Sequence, residues 1–205
     1  MADPPGRGNH ERKGPASDGG KGAISTQATK RSHFELDTSS CAVLVEARSN
    51  VGAVSFGSTE LNGVIEAVRA GDGIDTDSRP GAHLTVPLAS LTSGNALYDA
   101  ELQQRLAVQR FPVVTIELDE ARAVGGSHYR VSGRVTLHGV TATLSGGVTL
   151  SFPEPDAVLI TGEQVVDIRD FEIDLPSVLM LRIYPDVKVS LHLMARESPP
   201  AEAGT

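Results

Sequence analysis

Tryptophan is absent from this 205-residue chain, and five Phe and three Tyr make up its whole aromatic supply. Burial therefore falls to Val, Leu, Ile and Ala, and an aromatic stacking platform for single-stranded nucleic acid is disfavoured. Cysteine occurs once, as Cys41, so neither an intrachain disulfide nor a multi-cysteine metal site can form, a pattern compatible with a reducing compartment. Lys and Arg number 18 against 26 Asp and Glu, a formal charge of -8, and no compact basic cluster offsets it. Phosphate backbones and anionic bilayer surfaces are repelled, so nucleic acid is not an expected partner. No run approaches the roughly 20 apolar residues of a membrane span, and no apolar h-region opens the chain, where the first aliphatic beyond Ala and Met is Ile24. We therefore expect a soluble, cytoplasmic protein without stable membrane insertion.

What is present is aliphatic and patterned. An apolar fraction of 40% with a mean hydropathy of -0.10 suits a chain that buries one core. Residues 1–31 are dense in Gly, Pro, Ser and charge and hold too few apolar side chains to offset the entropy of ordering, so we expect them disordered. The same holds for the Pro-rich acidic tail "ESPPAEAGT", residues 197–205. Residues 32–196 then form one domain.

Within that domain apolar residues recur at every second position in many short runs, the period that sends alternate side chains to opposite sheet faces. In "DVKVSLHLMAR" Val187, Val189, Leu191, Leu193 and Ala195 share one face, and Lys188, Ser190, His192 and Arg196 the other. The same alternation predicts strands near 33–37, 41–47, 51–56, 61–70, 82–88, 112–120, 127–138, 140–151, 157–168 and 187–196. One helix is expected over 98–110, with Asp99 as N-cap, Leu102 and Leu106 inward and Pro112 as the stop. So many one-sided short strands imply an all-β fold, an antiparallel barrel or sandwich carrying one short helix. In the hairpin "YRVSGRVTLHGVTATLSGGVTL", residues 129–150, the inward set is Tyr129, Val131, Val135 and Leu137 with Ala142, Leu144, Val148 and Leu150. Gly133 and Gly146 fall on that face too, either to let the sheet coil or to leave room for a ligand.

Signatures of chemistry are sparse. "GDGIDTDSRPG" gathers Asp72, Asp75 and Asp77, but counting from Asp75 the fifth, sixth and twelfth positions of a calcium loop are Arg79, Pro80 and Val86, so it reads as a polar turn. Six histidines show no zinc-helix spacing, and alternation puts His138 and His192 on the wet face. There is no G-x-S-x-G elbow, Cys41 has no His nearby in sequence, and "SGG" at 145–147 lies within a strand, where it offers no helix N-terminus to phosphate. Asp119 with Glu120, and Glu172 with Asp174, read as outer-face or loop charges. We expect no enzyme, no cofactor and no metal.

Several motifs in order resemble the YceI family of lipocalin-like proteins described as polyisoprenoid- or lipid-binding. "PLASLTSGNALYDAELQQRLAVQRFPVVTIEL" (87–118) is similar to the family's strand, turn, Asp-led helix and aromatic-Pro strand entry, through Ser90, Gly94, Asn95, Asp99, Leu102, Phe111 and Pro112. "YRVSGRVTLHGVTATL" (129–144) resembles its hairpin through Tyr129, Val131, Gly133, Thr136, Leu137, Gly139 and Thr141. "IRDFEID" (168–174) resembles its Arg-Asp-Phe segment, and "FELDTSSCAVLVEAR" (34–48) its first two strands. The chain departs from the family in having Leu106 and Ala107 where a Phe pair is usual, in lacking a secretion signal, and in its apolar "DLPSVLMLRIYP" (174–185).

The resemblance implies a bacterial, non-catalytic protein with a lipocalin-like antiparallel β-barrel that holds a long apolar small molecule, an isoprenoid or other lipid, as carrier, store or sensor. On that reading the cavity is lined by Val114, Ile116, Tyr129, Val131, Val135, Leu137, Leu144, Val148, Phe171, Val189, Leu191 and Leu193. Tyr129 would be a polar handle, and Arg169 and Arg182 head-group contacts at the mouth. The alternative is a barrel filled by its own side chains and acting as an interaction or stress-related module. The segment 174–185 admits three roles besides plain core packing: a lid, a portal, or a homodimer patch.

Overall fold

The computed structural model describes residues 30–174, 177, 178 and 181–198. Of the segments expected to be disordered, 1–31 and 197–205, residues 1–29 and 199–205 lie outside these, as do Leu175, Leu179 and Met180, whereas Arg31, Glu197 and Ser198 belong to strands. Alternating aliphatic runs form the strands β1 (Arg31–Leu36), β2 (Ala42–Ser49), β3 (Gly52–Ser58), β4 (Asn62–Ala70), β5 (Gly73–Ile74) and β6 (Gly81–Pro87). After the helix α1 (Ala96–Arg105) come β7 (Val113–Gly125), β8 (His128–Leu137), β9 (Val140–Glu154) and β10 (Ala157–Asp167). The short β11 (Ser177–Val178) and β12 (Leu181–Arg182) pair only with each other, and β13 (Asp186–Ser198) ends the domain. The strands thus reach from Arg31 to Ser198, slightly beyond the expected bounds of 32 and 196.

Eight strands close into an antiparallel barrel in the order β1-β4-β6-β7-β8-β9-β10-β13, with β13 returning to β1. Of the two architectures that alternation allowed, the barrel is the one formed: the pairing of β13 with β1 leaves the ring itself without an end strand, while β3 stands outside it, paired to β2. β1 and β2 are two halves of one bent strand on the same side of β13: Leu36 pairs with Ala195, and Ala42 with His192. The bend is a turn of 3-10 helix, Thr38–Ser40, capped by Asp37. The Asp37 carboxylate accepts from the Ser39 N–H at 3.1 Å and from the Ser39 hydroxyl at 2.6 Å. These bonds, helped by Ser40 and Arg196, outweigh its desolvation and hold the carboxyl below its ordinary pKa. Buried Cys41 donates to the Met194 carbonyl at 3.3 Å, and burial pushes its thiol pKa up, so it is a packing residue.

Two ends of the barrel differ. The β7–β8 and β9–β10 turns lie at what we call the turn end, while α1 and the β10–β13 connection lie at the loop end. At the turn end Arg69 lays its guanidinium 4.2 Å from the centre of the Phe152 ring and donates to the Pro155 carbonyl at 2.9 Å, sealing the floor. At the loop end the β2–β3 hairpin leans away from the ring, and Gly57 exchanges two backbone hydrogen bonds with Thr92, at 2.9 and 3.0 Å.

Three local expectations are corrected. The helix runs over Ala96–Arg105, not 98–110, and its N-cap is Asn95, whose side chain accepts from the Leu97 N–H. Asp99 instead accepts from the N–H and the hydroxyl of Ser93, both at 2.7 Å, bracing the turn before the helix. The helix stops early because Leu106 and Val108 are both buried, and residues two apart cannot share one face of a helix. Ala107, at φ 46, makes the reversal that turns both inward. His138 is not a wet-face residue: with Gly139 it forms the β8–β9 turn at φ 56 and 81, stacks edge-on against Phe111 and lies 3.3 Å from the Phe171 carbonyl. Two successive positive φ values match the twist of a two-residue hairpin.

Candidate functional site

Antiparallel register shows which side chains face the interior. Tyr129 pairs with Val148, Val131 with Gly146, Gly133 with Leu144, Val135 with Ala142 and Leu137 with Val140, so all ten share one face. Ile116 pairs with Val135 and with Leu84, and Val114 with Val86, carrying that face through β7 into β6. On the other side Val158 pairs with Ala195, Ile160 with Leu193, Gly162 with Leu191, Gln164 with Val189 and Val166 with Val187.

This inward face divides into two zones. Toward the turn end Phe34, Ile65, Tyr129, Leu150, Val158 and Leu193 are all buried and packed together. Higher up, Val114, Ile116, Val131, Val135, Leu137, Leu144, Val148, Val189 and Leu191 are only half-buried although they face the inside of a closed ring. Residues so placed keep part of their surface accessible to solvent, in contrast with the fully packed zone below them. The zone is apolar, as a site for an apolar ligand requires.

The twelve residues expected to line a cavity therefore separate. Nine lie in the half-buried zone. Leu193, Tyr129 and Phe171 belong to packed regions: Tyr129 is 5% exposed and Phe171 1%. Tyr129 is not a free polar handle, because its hydroxyl accepts from the Ile74 N–H at 3.1 Å. Phe171 lies in a short 3-10 helix, Ile168–Phe171, that follows β10. Nor do two of the inward glycines leave room for a ligand. A Cβ on Gly133 would lie 2.3 Å from the Glu117 carbonyl oxygen, and one on Gly162 3.0 Å from Val148 Cγ1, so their bareness lets neighbouring strands approach.

Arg169 stands at the loop end with its guanidinium forked onto the Asp167 carboxylate, with contacts of 2.9 and 3.1 Å from Nε alone. That pairing lowers the Asp167 pKa, and Asp170 and Asp186 add negative charge around the same arginine. The side chain of Arg182 lies outside the described residues.

Two features of the site escaped the pattern reading. First, β9 and β10 pair only from Ala157–Glu154 to Glu163–Gly147, and beyond that rung they part, leaving a split in the wall toward the loop end. Second, Gln164 sits at the apex of this split on the inward face, where a Cβ on Gly146 would lie 2.8 Å from its Oε1. The signal for it was present, since in "AVLITGEQVVD" Gln164 takes a slot in the series Val158, Ile160, Gly162, Val166.

Comparison with known proteins agrees with this architecture. The structure resembles that of Burkholderia cenocepacia BcnA, with a TM-score of 0.66 at 17% identity over 78% of this chain and 98% of that one. It also resembles a polyisoprenoid binding domain from Saccharophagus degradans implicated in plant cell wall breakdown, with a TM-score of 0.61 at 17% identity over 82% and 100% of the two chains. A Campylobacter jejuni YCEI protein follows with a TM-score of 0.57 at 15% identity, over 68% and 82%. At these identities the likeness is one of fold. No curated protein sequence matches. The model of the YceI-like domain matches residues 25–195, most of the chain, and the protein belongs to the YceI-like family.

Proposed function

We propose that this protein is a non-catalytic binding protein that holds a long apolar molecule, a polyisoprenoid or another lipid, inside its barrel. The observation that carries the reading is the half-buried aliphatic face inside a closed ring. Such a face is stabilised by about 25 cal/mol for each square ångström of apolar surface that a ligand takes from water. The relative from Saccharophagus degradans, described as a polyisoprenoid binding domain, supports the same class of ligand. A binding role without catalysis is supported by the lining itself: no titratable side chain faces inward from residues 113–118 of β7, 131–137 of β8, 140–150 of β9, 158–166 of β10 or 187–193 of β13. A charged head group at the mouth would meet Arg169 only in competition with Asp167.

The test is native against denaturing mass spectrometry of protein purified from its own host, with lipid extraction of the same sample. A stoichiometric apolar ligand released on denaturation is expected. A bare chain that also takes up neither isoprenoid nor fatty-acyl probes would replace this reading with that of a side-chain-filled interaction module.

A further inference from the structure

Building on the binding reading above, we propose that Gln164 holds the polar end of the ligand, and that this end is a hydroxyl group on an otherwise apolar chain. Four observations converge on it. Register with Val189 turns Gln164 inward, and its amide leans over Gly146, where the absent side chain makes space for it. Gln164 is exposed although register turns it inward, because the β9–β10 pairing ends at the rung beside it. Its Nε2 donates to the adjacent Val165 carbonyl at 3.1 Å, which leaves one N–H and the Oε1 acceptor without a hydrogen-bond partner among the described residues.

The fourth is what surrounds it. Val148, Leu144, Val131, Val189 and Leu191 around the accessible zone offer no hydrogen bond. Ser58, which faces inward from β3, is buried and already shares its hydroxyl with Ser90 at 2.6 Å and with the Glu60 N–H at 3.0 Å. A free N–H beside a free acceptor matches a hydroxyl, which donates one hydrogen bond and accepts another. A phosphate or carboxylate placed there would meet no cation, since none faces inward from the described strands around Gln164, so nothing at this position favours an anion over a neutral hydroxyl. The split between β9 and β10 lies directly above Gln164 and puts the hydroxyl end next to solvent while the hydrocarbon extends among the valines and leucines.

The experiment compares two probes of the same carbon skeleton, geranylgeraniol and its hydrocarbon counterpart lacking the hydroxyl, on the full-length chain and on Gln164→Leu. Each is read by displacement of a fluorescent fatty-acyl probe, with a thermal melt to confirm folding. Gln164→Leu is expected to weaken geranylgeraniol about tenfold, the loss of one to two net hydrogen bonds, and to leave the hydrocarbon unchanged or tighter. Gln164→Asn, which keeps an amide but retracts it, is expected to fall between. Equal affinities for the alcohol in wild type and Gln164→Leu, or an equal loss for both probes, overturns the assignment while leaving the barrel as a binding site. Failure of the wild-type chain to bind either probe overturns the binding reading itself.

Discussion

The hydroxyl of Tyr129 accepts a hydrogen bond from the backbone N–H of Ile74, joining β8 to the short strand β5 across the turn end of the barrel. Gly73 makes this approach feasible, since a Cβ there would lie 2.3 Å from the Tyr129 oxygen. Tyr129→Phe leaves the Ile74 amide without its partner and is expected to cost about 1–2 kcal/mol in urea denaturation. Apolar-probe uptake should be unchanged, because the bond lies in the packed zone. A fall in uptake without a fall in stability would show instead that Tyr129 touches ligand.

Packed and accessible zones should respond differently to added volume. Val189→Phe places a larger side chain where the interior has space, so stability should change by less than about 1 kcal/mol while uptake of long apolar probes falls sharply. Leu193→Ala, in the packed zone, should cost about 2–5 kcal/mol by opening a cavity. Strong destabilisation by Val189→Phe would mean that the upper barrel is already full.

Gly133 on the inward face and Gly147 on the outward face make a third contrast. Gly133→Ala sets a methyl against the Glu117 carbonyl of β7, beside the bulge at Leu118–Glu120, and is expected to destabilise by about 1–3 kcal/mol. For Gly147→Ala nothing lies within 4 Å of the new methyl, and its melting temperature should stay close to wild type. Equal effects from the two would remove the assigned role of close strand approach.

Acid stability should depend on Asp37. Its folded pKa lies below the ordinary 3.8, so its contribution is present above that value and is lost as pH falls through the folded pKa. Asp37→Asn is therefore expected to be less stable than wild type at neutral pH, with the gap narrowing on acidification below about pH 4. Urea midpoints across that range measure it, and a gap that stays constant with pH would assign the loss to the changed cap alone.

Strand identity was legible in the sequence because a period of two survives in nearly every run, and the hairpin from Tyr129 to Leu150 shows the expected inward set in full. The family was legible too, through spaced glycines, the Asn95 turn and the Arg-Asp-Phe segment. What alternation cannot carry is partnership at a distance. Tyr129 is read as a polar handle until Ile74, 55 residues away, is seen to use its hydroxyl. Asp99 and Asn95 are both sound N-caps by residue type, and only the partners they take, the Leu97 N–H for Asn95 and Ser93 for Asp99, show which of them caps the helix. Gln164 marks the opposite limit: it is a polar residue in the apolar slot between Gly162 and Val166, and alternation by itself assigns such a residue no role.

Because β13 pairs with β1 as well as β10, the ring has no closed form until the C-terminal strand is present. Ser32 and Glu197, hydrogen-bonded side chain to side chain, stand 165 residues apart. During synthesis, then, β1 waits with only its β4 edge satisfied while almost the whole domain emerges, and the last strand acts as the stave that tightens the cask. Such a topology folds slowly for its size and leaves two unpaired edges exposed until it finishes. A nascent or truncated chain lacking β13 is accordingly the form most in need of a chaperone, and the form most prone to pair edge to edge with its own kind.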